Sequence, residues 1–309
     1  MEEWVVNADG CSPPSWSGNP MLKVSYQGEP GAYSESAALD FFGRNVALLP
    51  CASFESAFDA VENGYADRAV IPIENSLAGT IHKNYDLLLQ HEKLHIVGEI
   101  DLRIRHCLLG LEGVELRDVK RVLSHPMALA QCNKYLEEHN FIREVTYDTA
   151  GSAKILREKN LRDAAAVASE RAAELYALRI LAEDIEDESE NYTRFLVLSK
   201  QAYLPPSDSQ SKTSIAFSLK NTAGALFKAL SVFALRDIDL TKMESRHLYT
   251  LGDDKVPETL KSARRWKYLF YLDFAASLAD ESAKNALRHL SEIAPFIRVL
   301  GSYRRSTTS

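Results

Sequence analysis

Five short stretches carry side chains able to handle a charged small molecule. Asn191-Tyr192-Thr193-Arg194-Phe195 puts a hydroxyl and a fixed cation at the head of an otherwise apolar strand. A threonine hydroxyl can donate to an oxygen, and a guanidinium grips carboxylates in a planar fork. The pair reads equally as a strand-edge threonine with Arg194 paired to a nearby acid. Gly31-Ala32-Tyr33-Ser34, Glu74-Asn75-Ser76, Ser124-His125-Pro126 and Asp148-Thr149-Ala150 each follow a short apolar strand at a strand-to-helix turn. Ser, Thr and Asn in such turns cap the first amides of a helix, a purely structural task. Those amides, at the positive end of the helix dipole, also make sockets for anions. In an open α/β sheet such turns gather at the carboxyl ends of the strands, where ligands bind. Four of them point to a small ligand with several negative charges, and name no reaction.

Other constellations fail on spacing. His91-Glu92-Lys93-Leu94-His95 spells a zinc-protease pattern, but that chemistry needs both imidazoles on one helix. Tyr85 to Gln90 reads as helix and Leu94 to Ile100 as strand, so no metal site is expected there. There is no P-loop lysine pattern, GxGxxG or GxSxG, so nucleotide and α/β-hydrolase readings lack support. The run Glu183-Asp184-Ile185-Glu186-Asp187-Glu188 reads as a solvated acidic loop. Cys11, Cys51, Cys107 and Cys132 form no CxxC pair and are expected to be idle, buried thiols of a reducing compartment.

The elements that must position these groups follow from periodicity. Leu22–Tyr26, Arg68–Ile73, Arg121–Leu123 and Ala164–Ala168 read as strands that each run into a polar turn and a helix, an α/β body with mostly parallel strands. A linker, 204–212, contains Pro205-Pro206 and separates this body, 21–203, from a C-terminal module, 213–304. Residues 1–20 read as a disordered lead-in and 305–309 as a tail. The module reads β-α-β-β-α-β, the ferredoxin-like unit. Its helices can cover one sheet face, leaving the other face or an edge open for a partner copy or a ligand. At about 100–200 residues per domain, 309 residues agree with this division. The formal charge of −7 argues against nucleic-acid and anionic-membrane binding. No apolar run approaches the roughly 20 residues of a membrane span. The acidic start, Met1-Glu2-Glu3-Trp4, has neither signal-peptide nor transit-peptide character.

Taken together and in order, Gly31-Ala32-Tyr33-Ser34-Glu35, Pro72-Ile73-Glu74-Asn75-Ser76, Ser124-His125-Pro126 with Ala130-Gln131-Cys132, Asp148-Thr149-Ala150 and Thr193-Arg194-Phe195 resemble the prephenate/arogenate dehydratase family. Ala32-Tyr33, the stretch Ile81 to Leu89, and Gly301-Ser302-Tyr303 look like its plant branch, arogenate dehydratase. Gly224-Ala225-Leu226 and Glu244-Ser245-Arg246 resemble the family's ACT regulatory domain. Met127, Thr80, His247 and Ala223 depart from the usual pattern; the first two bear on substrate preference and the last two on strength of regulation.

The resemblance implies a two-lobed catalytic body, folded like a type II periplasmic binding protein, with the cleft between lobes joined by two crossings. It implies loss of a ring hydroxyl together with CO₂ from a ring dicarboxylate or its amino-acid counterpart. Aromatisation drives this, so no cofactor is implied. By the same resemblance Thr193 sits by the leaving hydroxyl, with Glu74 or His125 to re-supply its proton. Asn75, Ser124 and Gln131 complete the catalytic set, while Ala32, Tyr33, Ser34, Ser76, Thr149, Arg194 and Phe195 line the substrate. Phenylalanine would bind between subunits of a homodimer or homotetramer at Asn221, Gly224, Ala225, Leu226, Glu244, Ser245 and Arg246. Plant relatives work in plastids, which implies the chloroplast stroma. A non-catalytic amino-acid sensor on the same fold is the rival reading. A DNA-binding regulator would want a basic helix-turn-helix that the acidic chain does not offer.

Overall fold

The computed structural model describes residues 21–207, 210–247 and 268–306. The expected lead-in, Cys11, the centre of the linker and the last three residues lie outside the described residues. The first lobe is built from β1 (Lys23–Gln27), α1 (Tyr33–Phe42), β2 (Ala47–Cys51), α2 (Phe54–Glu62), β3 (Arg68–Asn75), β4 (Gly79–Thr80), α3 (His82–Gln90) and β5 (His95–Arg103). The chain then crosses to a second lobe. That lobe comprises β6 (Cys107–Gly110), β7 (Arg121–Ser124), α4 (Pro126–Gln131), α5 (Asn133–Glu138), β8 (Ile142–Val145), α6 (Thr149–Glu158), β9 (Ala164–Ala168), α7 (Glu170–Tyr176) and β10 (Arg179–Ala182). It returns as β11 (Tyr192–Ser199) into the first sheet.

The lobes repeat one topology. Lobe one runs β2-β1-β3-β11-β5, and lobe two β8-β7-β9-β6-β10. In each, three parallel strands are followed by one strand delivered across the hinge and antiparallel to its neighbours. Four of the five strands in each order therefore run the same way, as expected of a mostly parallel body; only the strand that crosses the hinge enters from the opposite end, and it pairs antiparallel on both sides.

Local chemistry explains the element boundaries. Ser53 caps α2 through the amide of Ser56, and the Ser56 hydroxyl answers the Ser53 amide. Strand β9, Ala-Ala-Ala-Val-Ala, is buried along its whole length, and its small side chains let helices pack on both faces. Lobe one has a core on each side of its sheet. Phe58, Ile71 and Leu88 lie with α2 and α3. Val24, Val70 and Phe195 lie with α1.

The C-terminal module contains β12 (Ser211–Ser218), α8 (Ala225–Ala234), β13 (Leu240–His247), β14 (Tyr268–Phe274), α9 (Glu281–Ile293) and β15 (Phe296–Arg304). Its order, β13-β14-β12-β15, is the ferredoxin-like arrangement. Both helices pack on one face over Ile215, Phe217, Phe233 and Leu290. The opposite face is not open as expected from the sequence: α3 of lobe one lies on it. The rings of Tyr85 and Tyr271 meet at a tilt with centroids 4.6 Å apart, and Arg298 donates to the carbonyls of Leu88 and Leu89 at 2.6 and 3.0 Å. A guanidinium on the last carbonyls of a helix satisfies acceptors that the helix cannot. The linker is also shorter than expected, because β12 begins at Ser211 and buries Lys212.

One close approach makes the two sheets continuous. Gly301 of β15 pairs with Ile96 of β5, and a Cβ at residue 301 would stand 2.1 Å from the Ile96 carbonyl oxygen. Only glycine fits beside that backbone. Gly301→Ala should therefore part the module from lobe one locally and destabilise the protein by about 2 kcal/mol. Thermal denaturation should show a clear fall in Tm; an unchanged Tm would mean that this strand contact carries no stability.

Candidate active site

The second crossing brings β11 back between β3 and β5, and this is where the polar motifs meet. Thr193 pairs across to Asn75, and Arg194 to Glu74, with a register shift just beyond, between Arg194 and Phe195. Neighbouring residues of a strand face opposite ways. Thr193 and Asn75 therefore share one face, and Arg194 and Glu74 the other. Asn75 Nδ2 points at Thr193 Oγ1 (3.0 Å), Asn191 Oδ1 (2.8 Å) and the Tyr192 carbonyl (3.1 Å). Its Oδ1 accepts from the amides of Leu77 and Ala78. Here the sequence reading is corrected: Glu74-Asn75-Ser76 opens the hairpin to β4, not a helix, and Asn75 serves the turn and Thr193 together.

On the opposite face Arg194 donates to Asp101 at 2.8 Å and stands 3.7 Å from Glu74 and 3.8 Å from Glu99. Burial pulls the guanidinium pKa down, yet Asp101, Glu99 and Glu74 more than offset that and hold it above the ordinary range. The acid that pairs with Arg194 thus comes from β5, and not from the acidic run. Glu74 also takes Lys242 of the module at 2.8 Å. A polar depression of about 430 Å³ at these strand ends is lined by Glu74, Ser76, Asp101, Glu190, Tyr192 and Arg194. Ser76 belongs to the same strand ends: it donates to Glu190 O and accepts from Tyr192 N.

The remaining motifs meet along the hinge and the lobe contact. The Tyr33 hydroxyl, from the start of α1, lies 2.7 Å from Arg105 O and 2.8 Å from His106 Nδ1, and His106 Nε2 lies 3.0 Å from Gln131 Oε1 of α4. Tyr33, His106 and Gln131 therefore join lobe one, hinge and lobe two in one chain of contacts. Burial pushes the Tyr33 phenol up and holds the His106 imidazole below its ordinary value, so the ring stays neutral. Gly31, at φ +92°, lies against α7, where a Cβ would come within 2.9 Å of Ala172 Cα. The Gly31 carbonyl accepts from Ser169 Oγ at 2.6 Å, and Glu35 takes Tyr26, the Gly31 amide and Arg171. Asp148, whose carboxyl is raised by burial, caps α6 through the Gly151 amide. Thr149 is the first residue of that helix and is half-buried.

Several expected contacts are spent elsewhere. Ser124 is fully buried and donates to Val167 O at 2.7 Å, which locks β7 to β9. His125, not Ser124, caps α4, with Nδ1 accepting from the Met127 amide at 3.2 Å. Phe195 lies in the α1-side core, and Ala32 and Ser34 are buried at the start of α1. The acidic run is tied to the hinge more than solvated. Asp184 takes Arg105 through two bonds, and Glu186 accepts from the His106 amide. His91 ends α3 and pairs with Glu62, while His95 starts β5, so the two histidines occupy different elements. Cys51, Cys107 and Cys132 are buried free thiols; burial pushes Cys107 up to about 11.

In the module, Glu244 and Arg246 face lobe one. Glu244 accepts from Thr80 at 2.8 Å and meets His82 at 2.9 Å, and Arg246 pairs with Asp86. Ser245 is exposed. Pairing registers place Ser218, Leu269 and Arg246 in one row, so Glu244–Arg246 share a sheet end with Asn221, Gly224, Ala225 and Leu226 at the start of α8.

Sequence reasoning missed His106, Lys212 and Lys242. Arg105-His106 ahead of an apolar strand was a usable signal for the first. The two lysines carried none, since a lone lysine in a linker or strand reads as solvated.

Two hinged α/β lobes with a polar site at their crossing, fused to a ferredoxin-like module, define the class: an enzyme that closes over a small polar ligand and carries a second domain against its catalytic lobe. Residues 24–203 match the prephenate dehydratase family. The chain is 55% identical over 295 residues to arogenate dehydratase/prephenate dehydratase 2, chloroplastic, of Arabidopsis thaliana, covering 95% of this chain and 76% of that protein. It superposes on a prephenate dehydratase in complex with L-Phe from Arthrobacter aurescens with TM-score 0.82 and 32% identity, covering 93% of this chain and 91% of that one. A structure described as GqqA, a novel type of quorum-quenching acylase, superposes with TM-score 0.81 and 35% identity over 92% and 98% of the two chains. The chain belongs to the prephenate dehydratase family and is a carbon–oxygen lyase of phenylalanine biosynthesis.

The neutral His106 has a consequence for acid stability. Its folded pKa lies below the unfolded value of about 6.5, so the unfolded chain binds the extra proton. The associated stability is present above about pH 6.5 and is lost as pH falls through the folded value. His106→Asn should flatten the decline of Tm between about pH 7 and pH 5 relative to wild type. Parallel Tm–pH curves would remove His106 from the acid response.

Proposed function

We propose that the protein converts arogenate to phenylalanine, releasing water and CO₂, with prephenate to phenylpyruvate as the second activity to be tested. The proposal rests on the Thr193–Asn75 pair beside the hinge in a chain of this family. Asn75 Nδ2 donates to Thr193 Oγ1, so the threonine's own proton is free to point away from Asn75, at the ring hydroxyl. As the ring carboxylate leaves as CO₂, its bonding electrons aromatise the ring and expel the hydroxyl, which takes up a proton and departs as water. The Asn75 donor steadies the negative charge that develops on Thr193, as an oxyanion donor does. Glu74 is engaged by Lys242, so among the two proposed proton sources His125, exposed at the start of α4, is favoured. The starts of α1 and α6, with Thr149, are assigned to the carboxylates. Tyr33 and Gln131 set lobe closure.

For the module we propose an ACT-type role: phenylalanine binds at the sheet end formed by Asn221, Gly224, Ala225, Leu226 and Ser245. Glu244 and Arg246 transmit its presence to lobe one, with a coupling of about 1–3 kcal/mol. A second copy is proposed to cover Phe227, Leu235, Met243 and Tyr268, apolar side chains that are all exposed on the module. The chloroplast stroma is the proposed location, on the strength of the relatives' names.

Purified protein incubated separately with arogenate and prephenate should yield phenylalanine from the first at the higher kcat/KM; phenylpyruvate formation at equal or greater efficiency would reverse the assignment. Thr193→Ala should lose about 10²–10³ in kcat with little change in KM, and Thr193→Ser should keep much of the rate. Asn75→Ala should lose about 10²-fold in kcat. Wild-type kinetics for Thr193→Ala would take the threonine out of the reaction. Initial rates that stay flat to millimolar phenylalanine would sink the regulatory assignment.

A further inference from the structure

Three carboxylates surround Arg194, and two of them are held by lysines that do not belong to the catalytic lobes. Asp101 takes the guanidinium directly at 2.8 Å. Glu74, at 3.7 Å from Arg194, is held by Lys242 of β13 at 2.8 Å. Glu99, at 3.8 Å from Arg194, is held by Lys212 of β12 at 2.5 Å. The Lys212 and Glu99 side chains are only 5% and 4% exposed, so neither can trade its partner for water. Without the lysines, one guanidinium would face three carboxylates, and the excess negative charge would drag it out of register toward whichever acid was freed. With them, Glu74 and Glu99 each have a cation of their own and Arg194 is left with Asp101, although Lys212 also lies 3.5 Å from Asp273 and Lys242 3.9 Å from Glu244. Arg194 is the chain neighbour of Thr193, on the opposite face of the same strand.

We propose that Lys242 and Lys212, supplied by the C-terminal module, are positioning residues for the dehydration: by holding Glu74 and Glu99 they fix Arg194, and through it the strand segment that presents Thr193. This rests on the assignment of Thr193 above. A positioning error on the scale of an ångström at a reacting group is enough to slow a reaction by up to 10²-fold. The module therefore contributes to the rate even with no effector present, and any shift of β13 against lobe one reaches the reacting strand through two ion pairs.

The test is a double-mutant cycle on full-length protein, assayed without phenylalanine. Lys242→Gln should lower kcat about tenfold with KM within about twofold, and Lys242→Arg should restore kcat to within about threefold. Glu74→Gln should also lower kcat, and the Lys242→Gln/Glu74→Gln double variant should lose no more than the worse single, since both remove one linkage. Losses that multiply would overturn the proposal. So would a Lys242→Gln protein that melts earlier but turns over at the wild-type rate per folded molecule, because the lysine would then be structural only. Thr193→Ala in the same assay separates the two claims. A slow Thr193→Ala beside a wild-type-like Lys242→Gln defeats the lysine proposal alone. An active Thr193→Ala beside a slow Lys242→Gln supports the positioning of Arg194 and defeats the threonine assignment instead.

Discussion

A guanidinium partly withdrawn from water needs negative partners, and those of its partners that are buried need positive ones in turn. Arg194 starts that sequence. Its neighbour Asp101 is enough to neutralise it, yet Glu74 and Glu99 lie within 4 Å as well. Breaking a buried pair by removing one member typically costs about 3–5 kcal/mol, because the other charge is stranded. Lys212 prevents that for the buried Glu99, Lys242 pairs the half-buried Glu74, and both lysines arrive on strands of the C-terminal module. The catalytic lobe is thus electrostatically incomplete without the module. The same dependence explains why the module packs its open sheet face on α3 and joins the lobe-one sheet at Gly301.

The strand pair β3/β11 then divides its labour by pleat. One face carries the hydroxyl of Thr193 with its amide donor, Asn75; the other carries the ion cluster. Two incompatible requirements are met within two residues. The face proposed for the reaction must keep one proton uncommitted, and the supporting face must leave nothing uncommitted. The register shift after Arg194 fits this division, since irregularities of this kind re-aim side chains at the edge of an otherwise regular ladder.

Much of this was legible in the residues, and the limits are physical. Apolar alternation and helical spacing located the strands and helices of the module, because burial on one face imposes a period. Motif order pointed to the family and to Thr193. What periodicity could not give was the partner of each polar group. Glu74-Asn75-Ser76 looked like a helix cap because a cap and a hairpin turn both want a side-chain acceptor for adjacent amides. Ser124 looked like a ligand contact, but its hydroxyl closes on a carbonyl 43 residues away. Lys212 sat in what read as a polar linker, since nothing local tells a lysine that it will meet Glu99 across more than a hundred residues. Long-range charge pairing leaves no period in the sequence.

The lobe contact sets the remaining condition on function. The β1–α1 turn lies against α7 through Gly31, Glu35 and Ser169, and against α6 through Glu29 and Lys154, while Tyr33 reaches the hinge at Arg105 and His106. A substrate with two carboxylates cannot enter between surfaces already joined by a buried carboxylate and a guanidinium unless they part. The strands through which they can part are the two crossings, and both are braced. Ile104 and Asn191 share a backbone bond, and Asp184 holds Arg105. The crossings are bonded to each other, with Thr193 and Asn75 on lobe one beside that braced pair and Gln131 and Thr149 on lobe two. The group proposed for the chemistry therefore lies on the lobe that the module supports, and Gln131, proposed for closure, lies on the other, so the two tasks are divided between the lobes across one braced hinge.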